Sequence, residues 1–278
     1  MKIHAIQTGA VRIKKNQLVG KGSGTLRLMN VLFGREWVEP SVPIYAWVIE
    51  HAEGVIVVDT GETARTAEAG YFPRWHPYYK TAVHFQVLPE QEIGAQLKQM
   101  GVQPKDVKKV VLTHLHTDHA GGLHHFPESK IHVHMPEYQR TKGFRGKVDG
   151  YLPHRLPDWF SPLPIEFGDD GIGSFDKSWN VTKKGDVKVV PTHGHTPAHV
   201  SVVFKTADVH YFLAGDASYS EQNLLSKAAD GVSPDPNKAI STMQKILDFA
   251  KQFPTVYLPT HDPNSGSRLK NRQTLQIE

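Results

Sequence analysis

The first half of the chain alternates short apolar runs with one amphipathic stretch, which predicts strands around a helix. Residues 1–12 are predicted to form an opening strand. Two mostly apolar runs then flank a short turn at residues 52–54, a pattern typical of paired strands. Pro89 and Gly101 bound apolar residues at helical spacing, which predicts a helix over 88–100. The other strands predicted in this half are 44–50, 55–59, 107–112 and 131–135.

The second half repeats this alternation. Its predicted helix is 237–252, and its predicted strands are 186–191, 199–205, 210–215 and 255–258. Residues 13–42 lack clean periodicity and are interpreted as a long loop, and residues 141–180 as an insertion over one face. Because both halves combine strands and helices, we expect two sheets packed face to face with helices outside, in a single domain over residues 1–278.

Composition narrows the classes of function. The chain has 32 Lys and Arg against 28 Asp and Glu, a net charge of +4 without a basic stripe, so no nucleic-acid partner is predicted. No run approaches the roughly 18 apolar residues of a membrane span, and the N-terminus lacks an apolar signal core. We therefore expect a cytoplasmic protein without a membrane partner. The absence of cysteine excludes disulfides, thiolate metal ligands and a cysteine nucleophile.

Seventeen histidines stand out, since imidazole is the commonest nitrogen ligand for metals. Four ligand-type side chains, His114, His116, Asp118 and His119, fall within six residues directly after a predicted strand. A backbone that turns at a strand end can direct alternate side chains towards one point. His114 and His116 can then share one metal, while Asp118 and His119 face a second.

One such cluster cannot complete two metal sites, because a catalytic site needs about three protein ligands and a water for each metal. His195, Asp216 and His261 are the candidates for the missing ligands, since each follows a predicted strand and precedes a turn. The two oxygens of a carboxylate can bind two cations, so Asp216 suits a bridging position. The sequence thus predicts a seven-residue centre for two divalent metals.

The order of these motifs, HxHxDH followed by GHT, an aspartate and a late histidine, resembles the metallo-β-lactamase superfamily from about Val55 to His261. The resemblance implies an α+β fold, a four-layer αββα sandwich with the metals at one edge of the two sheets. Asp59 matches a position that usually orients the histidine loop. The resemblance also implies that His114, His116 and His195 bind one metal and that Asp118, His119 and His261 bind the other. Asp216 would bridge the two metals.

Two further segments resemble the N-acyl-homoserine lactone lactonases, the quorum-quenching branch of the superfamily. They are Asp216-Ala217-Ser218-Tyr219 and Gly194-His195-Thr196-Pro197, although Ala198 stands where a glycine is frequent. The resemblance implies hydrolysis of a lactone by a hydroxide formed between the two metals. Tyr219 would donate a hydrogen bond to the carbonyl, and Asp118 would protonate the leaving oxygen.

Two other functions remain open: another hydrolase on the same scaffold, such as a thioesterase, arylesterase or phosphodiesterase, and a non-catalytic metal-binding module. Zinc is the expected metal, although cobalt, iron and manganese also suit histidine and carboxylate ligands. The expected partner is a small-molecule lactone, and the resemblance is consistent with a homodimer. Candidates for an acyl-chain groove are residues 26–37, 71–79 and 159–160.

Overall fold

The computed structural model describes residues 1–277, apart from the side chain of Arg145, so residue 278 of the predicted domain lies outside the described residues. The strands are β1 Lys2–Ile13, β2 Val42–His51, β3 Gly54–Val58, β4 Val83–Gln86, β5 Val107–Val111, β6 Lys130–Val133, β7 Leu163–Pro164, β8 Trp179–Asn180, β9 Val187–Pro191, β10 Val200–Thr206, β11 Val209–Gly215 and β12 Thr255–Pro259. The helices are α1 Lys15–Leu18, α2 Gly24–Leu32, α3 Pro77–Thr81, α4 Ile93–Gln99, α5 Thr117–Ala120, α6 Met135–Arg140, α7 Gly143–Val148, α8 Glu221–Leu225, α9 Pro236–Gln252 and α10 Ser265–Asn271.

The strands form two mixed sheets. The seven-stranded sheet has the order β4-β1-β2-β3-β5-β6-β7, and the five-stranded sheet has the order β12-β11-β10-β9-β8. Strands β3, β5 and β6 run parallel, as do β11 and β12, so each sheet brings the carboxyl ends of several strands to one edge. The predicted ligands come after β5, β9, β11 and β12.

Alternating side chains of the central strands pack into different layers. In β10, Val202 faces the core between the two sheets, whereas Val203 faces the core beneath α9. The opposite outer layer contains α4, whose Ile93 and Leu97 pack in one cluster with Val110 of β5. Because every central strand has apolar cover on both faces, the runs are continuously hydrophobic. The predicted four-layer αββα arrangement is confirmed.

Several predicted elements differ from the structure. The prediction of a loop over 13–42 is wrong, because this segment contains α1 and α2. The apolar residues of α2 do not form a stripe that packs into the core, since Leu28 within the helix and Phe33 directly after it are exposed. The helix predicted over 88–100 begins only at Ile93, after a 3₁₀ turn at Pro89–Gln91.

Residues 141–180 are more than an insertion over one face. They supply one edge strand of each sheet, since β7 pairs with β6 and β8 pairs with β9. Edge strands of two residues carry too little pattern for sequence periodicity to reveal them. Within residues 1–277, no helix combines the length and the apolar character that a membrane crossing requires.

Candidate metal centre

All seven predicted ligand residues meet at the common edge of the two sheets. His114, His116 and His195 each direct one ring nitrogen into a group whose atoms lie within 4.8 Å of one another. Nδ1 of His116 lies 3.0 Å from Nε2 of His114 and 3.0 Å from Nε2 of His195. Two ligand loops from different sheets thus form one three-nitrogen cluster.

Asp118, His119 and His261 form a second cluster of the same kind. Nε2 of His261 lies 3.4 Å from Oδ2 of Asp118. Asp118 retains 15% of its side-chain exposure, whereas the His119 side chain is fully buried. Asp118 is therefore the member through which the second cluster reaches the open, polar side of the site.

Asp216 lies between the two clusters. Its Oδ1 is 3.3 Å from Nε2 of His119, and its Oδ2 is 3.4 Å from both Nε2 of His195 and Nε2 of His261. One carboxylate thus reaches ligands of both clusters, which is the geometry that a bridging residue requires.

Two buried atoms at this point have no hydrogen-bond partner. They are Nε2 of His119 and Oδ1 of Asp216, which face each other across 3.3 Å. Unpaired buried polar atoms are rare in folded proteins and call for a reason. Divalent cations bound by imidazole nitrogens and carboxylate oxygens would satisfy both atoms, so the residues present fit such ions.

A second layer of hydrogen bonds holds the rings. Oδ2 of Asp59 accepts from Nδ1 of His119 at 2.9 Å, and the carbonyl of Pro43 accepts from Nδ1 of His261 at 2.9 Å. Nδ1 of His195 lies 3.2 Å from Oδ2 of Asp230. These contacts keep the proton on Nδ1 and turn the Nε2 lone pair towards the centre.

The backbone of Asp216 is itself held by a histidine outside the predicted set. Nε2 of His199 accepts from the Asp216 amide at 3.0 Å, and its Nδ1 lies 2.9 Å from the Thr192 hydroxyl. Glu137 joins two ligand loops, since it accepts from the Thr196 hydroxyl at 2.8 Å and from the Leu115 amide at 3.3 Å. Sequence reasoning missed these contacts.

Two of the three rings of the first cluster, His114 and His116, are poised as neutral ligands. Burial, together with His195, lowers the pKa of His116 to about 3. Burial and the neighbouring His119 hold the pKa of His114 well below its usual range. Both side chains therefore carry a free lone pair at neutral pH, as metal ligation requires.

A cavity of about 410 Å³ leads away from the centre. Its polar end is lined by His116, Asp118, Asp216 and Tyr219, whereas its other walls are mostly apolar. Those walls come from β1, α2, α3 and β4, and they include Ile13, Leu28, Leu32, Val83 and Phe85. The site therefore combines a metal-type centre with room for an apolar group.

The Tyr219 hydroxyl stands at the junction of these two parts. It accepts a hydrogen bond from Nε2 of Gln17 at 3.0 Å, and Oε1 of Gln17 in turn accepts from the Tyr78 hydroxyl at 3.0 Å. Gln17 lies in α1, within the segment that sequence reasoning treated as a loop. No local motif marks it, because its partner is 202 residues away.

Comparison with known proteins agrees with this geometry. The family model of the metallo-β-lactamase superfamily matches residues 41–261, which is most of the chain and spans all seven residues of the centre. The chain belongs to the metallo-β-lactamase superfamily. Membership explains the two-sheet fold and implies a metal-dependent hydrolase that binds divalent metal.

Relatives within this superfamily carry more specific names. The chain is 25% identical to an N-acyl homoserine lactonase, AttM, of Rhizobium radiobacter, over 97% of this chain and 96% of that protein. It is 28% identical to an N-acyl homoserine lactonase of Bacillus thuringiensis, over 80% of this chain and 82% of that protein.

Solved structures share the metallo-β-lactamase fold. One is an N-acyl homoserine lactone hydrolase with N-hexanoyl-L-homoserine bound at its catalytic metal centre; it matches with a TM-score of 0.70 and 22% identity, over 96% of this chain and 95% of that chain. The dizinc quorum-quenching lactonase AidC matches with a TM-score of 0.62 and 14% identity, over 96% and 90%. At these identities the likeness establishes the fold alone.

Proposed function

We propose that this protein hydrolyses the lactone ring of N-acyl-homoserine lactones. The observation that carries the proposal is the Tyr219 hydroxyl, which lies where the metal-type centre meets the apolar cavity. A lactone with an acyl chain needs both parts at once, a polar end for the ring and an apolar space for the chain. The relatives named as lactonases, which align over most of the chain, support the same assignment.

Seven residues would hold the two cations. His114, His116 and His195 would bind one, Asp118, His119 and His261 the other, and Asp216 both. Zinc is the ion we expect, since imidazole and carboxylate ligands suit it. When bound, two such cations polarise a carbonyl and lower the pKa of water towards neutrality.

Tyr219 acts as a hydrogen-bond donor to the substrate carbonyl. Its oxygen already accepts from Gln17, so its own O–H is free to be donated. Burial, reinforced by the negative charges of Asp230 and Asp216, raises the pKa of Tyr219 well above its usual range. The phenol therefore stays protonated at neutral pH and can stabilise the negative charge that develops on the carbonyl oxygen.

Asp118 transfers a proton from the attacking water to the leaving oxygen. Its carboxylate lines the cavity and keeps more exposure than that of Asp216, so it can reach both water and substrate. It takes the proton released when water attacks the carbonyl carbon and gives it to the ring oxygen as the acyl–oxygen bond breaks. The product is the open-chain N-acyl-homoserine.

The acyl chain would lie along the apolar walls of the cavity. Two of the three predicted groove segments contribute, through Leu28 and Leu32 of α2 and through Trp75 and the tyrosines of α3. The third segment does not line this cavity, since Phe160 is buried in the core under α4. Its contribution to an acyl groove was predicted wrongly, because an aromatic pair in a loop looks the same in sequence whether it fills a core or a pocket.

The test is proton release by the metal-loaded protein on N-acyl-homoserine lactones of increasing chain length, followed with a pH indicator. We expect release that a chelator abolishes and that Asp216→Asn lacks. Absence of release from every lactone, with two metals measured per chain, would contradict lactonase activity. Thioesters and phosphodiesters, assayed in parallel, would then identify the other hydrolases that the same scaffold supports.

A further inference from the structure

A second group of ligand-type side chains lies outside the catalytic centre. It comprises Glu92, which caps the start of α4, and the adjacent His124 and His125. Oε2 of Glu92 lies 2.6 Å from Nε2 of His125 and 3.2 Å from Nε2 of His124. One carboxylate oxygen and two imidazole nitrogens thus converge from two segments of the chain.

The two oxygens of Glu92 have separate partners. Oε1 accepts from the Thr63 hydroxyl at 3.0 Å and from the Ala64 amide at 2.8 Å, which fixes the carboxylate in place. Oε2 is left to face the two histidines alone. Burial opposes ionisation of Glu92, but the hydrogen bonds from Ala64 and from Nε2 of His125 outweigh it and hold its pKa below the usual value, so the group is a carboxylate. A metal ion bound here would take the place of the proton that His125 shares with Oε2.

The ring of His124 turns an acceptor towards that carboxylate. Its Nδ1 lies 3.1 Å from the carbonyl of Gly121, and a carbonyl can only accept, so the ring proton is on Nδ1. In a neutral ring the Nε2 lone pair then points at Oε2 of Glu92, itself an acceptor. A cation between these two acceptors would relieve their repulsion.

The ring of His125 is held by close packing. It lies against α4 at Gly94, where a Cβ would come within 2.4 Å of Nδ1 of His125. Glycine is less favourable than alanine in a helix, and here it makes room for the ring. Burial and the neighbouring His124 lower the pKa of His125, so its ring is neutral at pH 7.

We propose that Glu92, His124 and His125 bind a third divalent metal ion, of the zinc type, separate from the catalytic pair. Two imidazole nitrogens and one carboxylate oxygen are a donor set typical of such ions. The His124 side chain is 42% exposed, which leaves the remaining coordination positions to water. The ion would join α4 to the 3₁₀ turn Gly121–His125, which directly follows α5 with its ligands Asp118 and His119.

The test counts zinc ions on the full-length protein. Metal-stripped protein is dialysed against buffered zinc, and bound zinc is measured by mass spectrometry. We expect three ions per chain in the unaltered protein and two in the double variant His124→Asn/His125→Asn. The control His154→Asn, which removes an exposed histidine elsewhere, should keep three. Equal stoichiometry in the unaltered protein and the double variant would overturn the proposal.

A second measurement uses Glu92→Gln, which retains an oxygen that can accept from Ala64 but replaces the metal-facing oxygen with an amide. We expect a third equivalent of zinc, added to protein that already holds two, to raise the thermal midpoint of the unaltered protein and to leave that of Glu92→Gln unchanged. A midpoint that does not respond to the third equivalent in either protein would overturn the proposal. Neither measurement uses turnover, so a failure of lactone hydrolysis would leave this proposal intact.

Discussion

At the residue scale, several side chains of the centre are paired, one lining the cavity or a cluster and one hydrogen-bonded behind it. Gln17 stands behind Tyr219, and Asp59 stands behind His119. The residue behind, Gln17 or Asp59, fixes the direction in which the proton or lone pair of its partner points. Substitution of the residue that lines the site tests its chemical role, whereas substitution of the residue behind it tests only its orientation.

Tyr219→Phe removes the proposed donor and leaves the ring in place. We expect both catalytic metals to remain and kcat to fall by about 10- to 1000-fold, as for loss of an oxyanion donor. Metal analysis with steady-state kinetics on lactones measures both quantities. Tyr78→Phe is the matched control, because its hydroxyl is one hydrogen bond further away; an equal loss in the two variants would contradict a direct role for Tyr219.

Gln17→Leu keeps the volume but no longer donates to the Tyr219 oxygen. The phenol is then free to turn its proton elsewhere, so we expect a smaller fall in kcat than in Tyr219→Phe. In the double variant Gln17→Leu/Tyr219→Phe the loss should equal that of Tyr219→Phe alone. Additive losses would show that Gln17 acts independently of Tyr219.

Asp59→Asn and Asp230→Asn test the second layer around two different rings. Each replaces a carboxylate beside a ligand histidine with a weaker, partly donating amide. We expect the metal affinity to fall by about 10- to 100-fold in each, the usual effect of such partners. Competition with a chromophoric chelator measures the metal affinity. Unchanged affinity in both variants would contradict a role of these residues in supporting the metal ligands.

At the element scale, α2 forms a wall of the cavity, and its Arg27 side chain ties it to the loop at Ala229 and Asp230. Arg27 donates from Nη2 to the carbonyl of Ala229 at 2.6 Å and from Nε to the carbonyl of Asp230 at 3.0 Å. The same loop supplies the carboxylate beside His195. The wall of the cavity and the support of the centre are therefore connected through Arg27.

Arg27→Met should leave the buried carbonyl of Asp230 without these donors, whereas the carbonyl of Ala229 keeps the Gly20 amide. We expect the free energy of unfolding to fall by about 1–3 kcal/mol, the cost of such an unsatisfied group. KM should rise more for long-chain than for short-chain lactones, because α2 lines the apolar part of the cavity. Urea denaturation and a chain-length series check both effects, with the exposed Arg35→Met of the same segment as control.

At the scale of the whole molecule, the centre joins the two sheets. Four of the seven residues follow β5 of the seven-stranded sheet, and the other three follow β9, β11 and β12 of the five-stranded sheet. A direct backbone bond from Val200 to the carbonyl of Thr113, 2.9 Å long, crosses the same edge. Bound cations would thus add a further link between the two halves of the molecule.

Removal of the metals should therefore destabilise the entire fold. A ligand that binds only the folded state stabilises it by about 2.7 kcal/mol at 100 times its dissociation constant. We expect chelation to lower the free energy of unfolding by an amount of this order, measured by urea denaturation of loaded and stripped protein. Asp216→Asn should respond much less to chelator; an equal response would contradict its bridging position.

Much of the fold could be predicted because its signals are local. The core strands have continuous apolar runs, and α9 has apolar residues at helical spacing that pack into the core. The four-residue elements α1 and β4 are too short for a pattern to reveal them, and α2 was missed because several of its apolar side chains face the cavity or solvent instead of the core. The single domain, the cytoplasmic location and the homodimer stay predictions.

The sequence by itself determined the class of chemistry. Four ligand-type residues lie so close along the chain that any fold would keep them together: His114, His116, Asp118 and His119. The strand before them determines the edge of the sheet at which they lie. Only the tertiary structure decided which distant residues serve them, since Gln17, Asp230 and the pair Glu92 and His125 meet their partners across loops and sheets. The physical reason is that periodicity and spacing encode contacts within a few residues, whereas hydrogen bonds between remote segments depend on how whole layers pack.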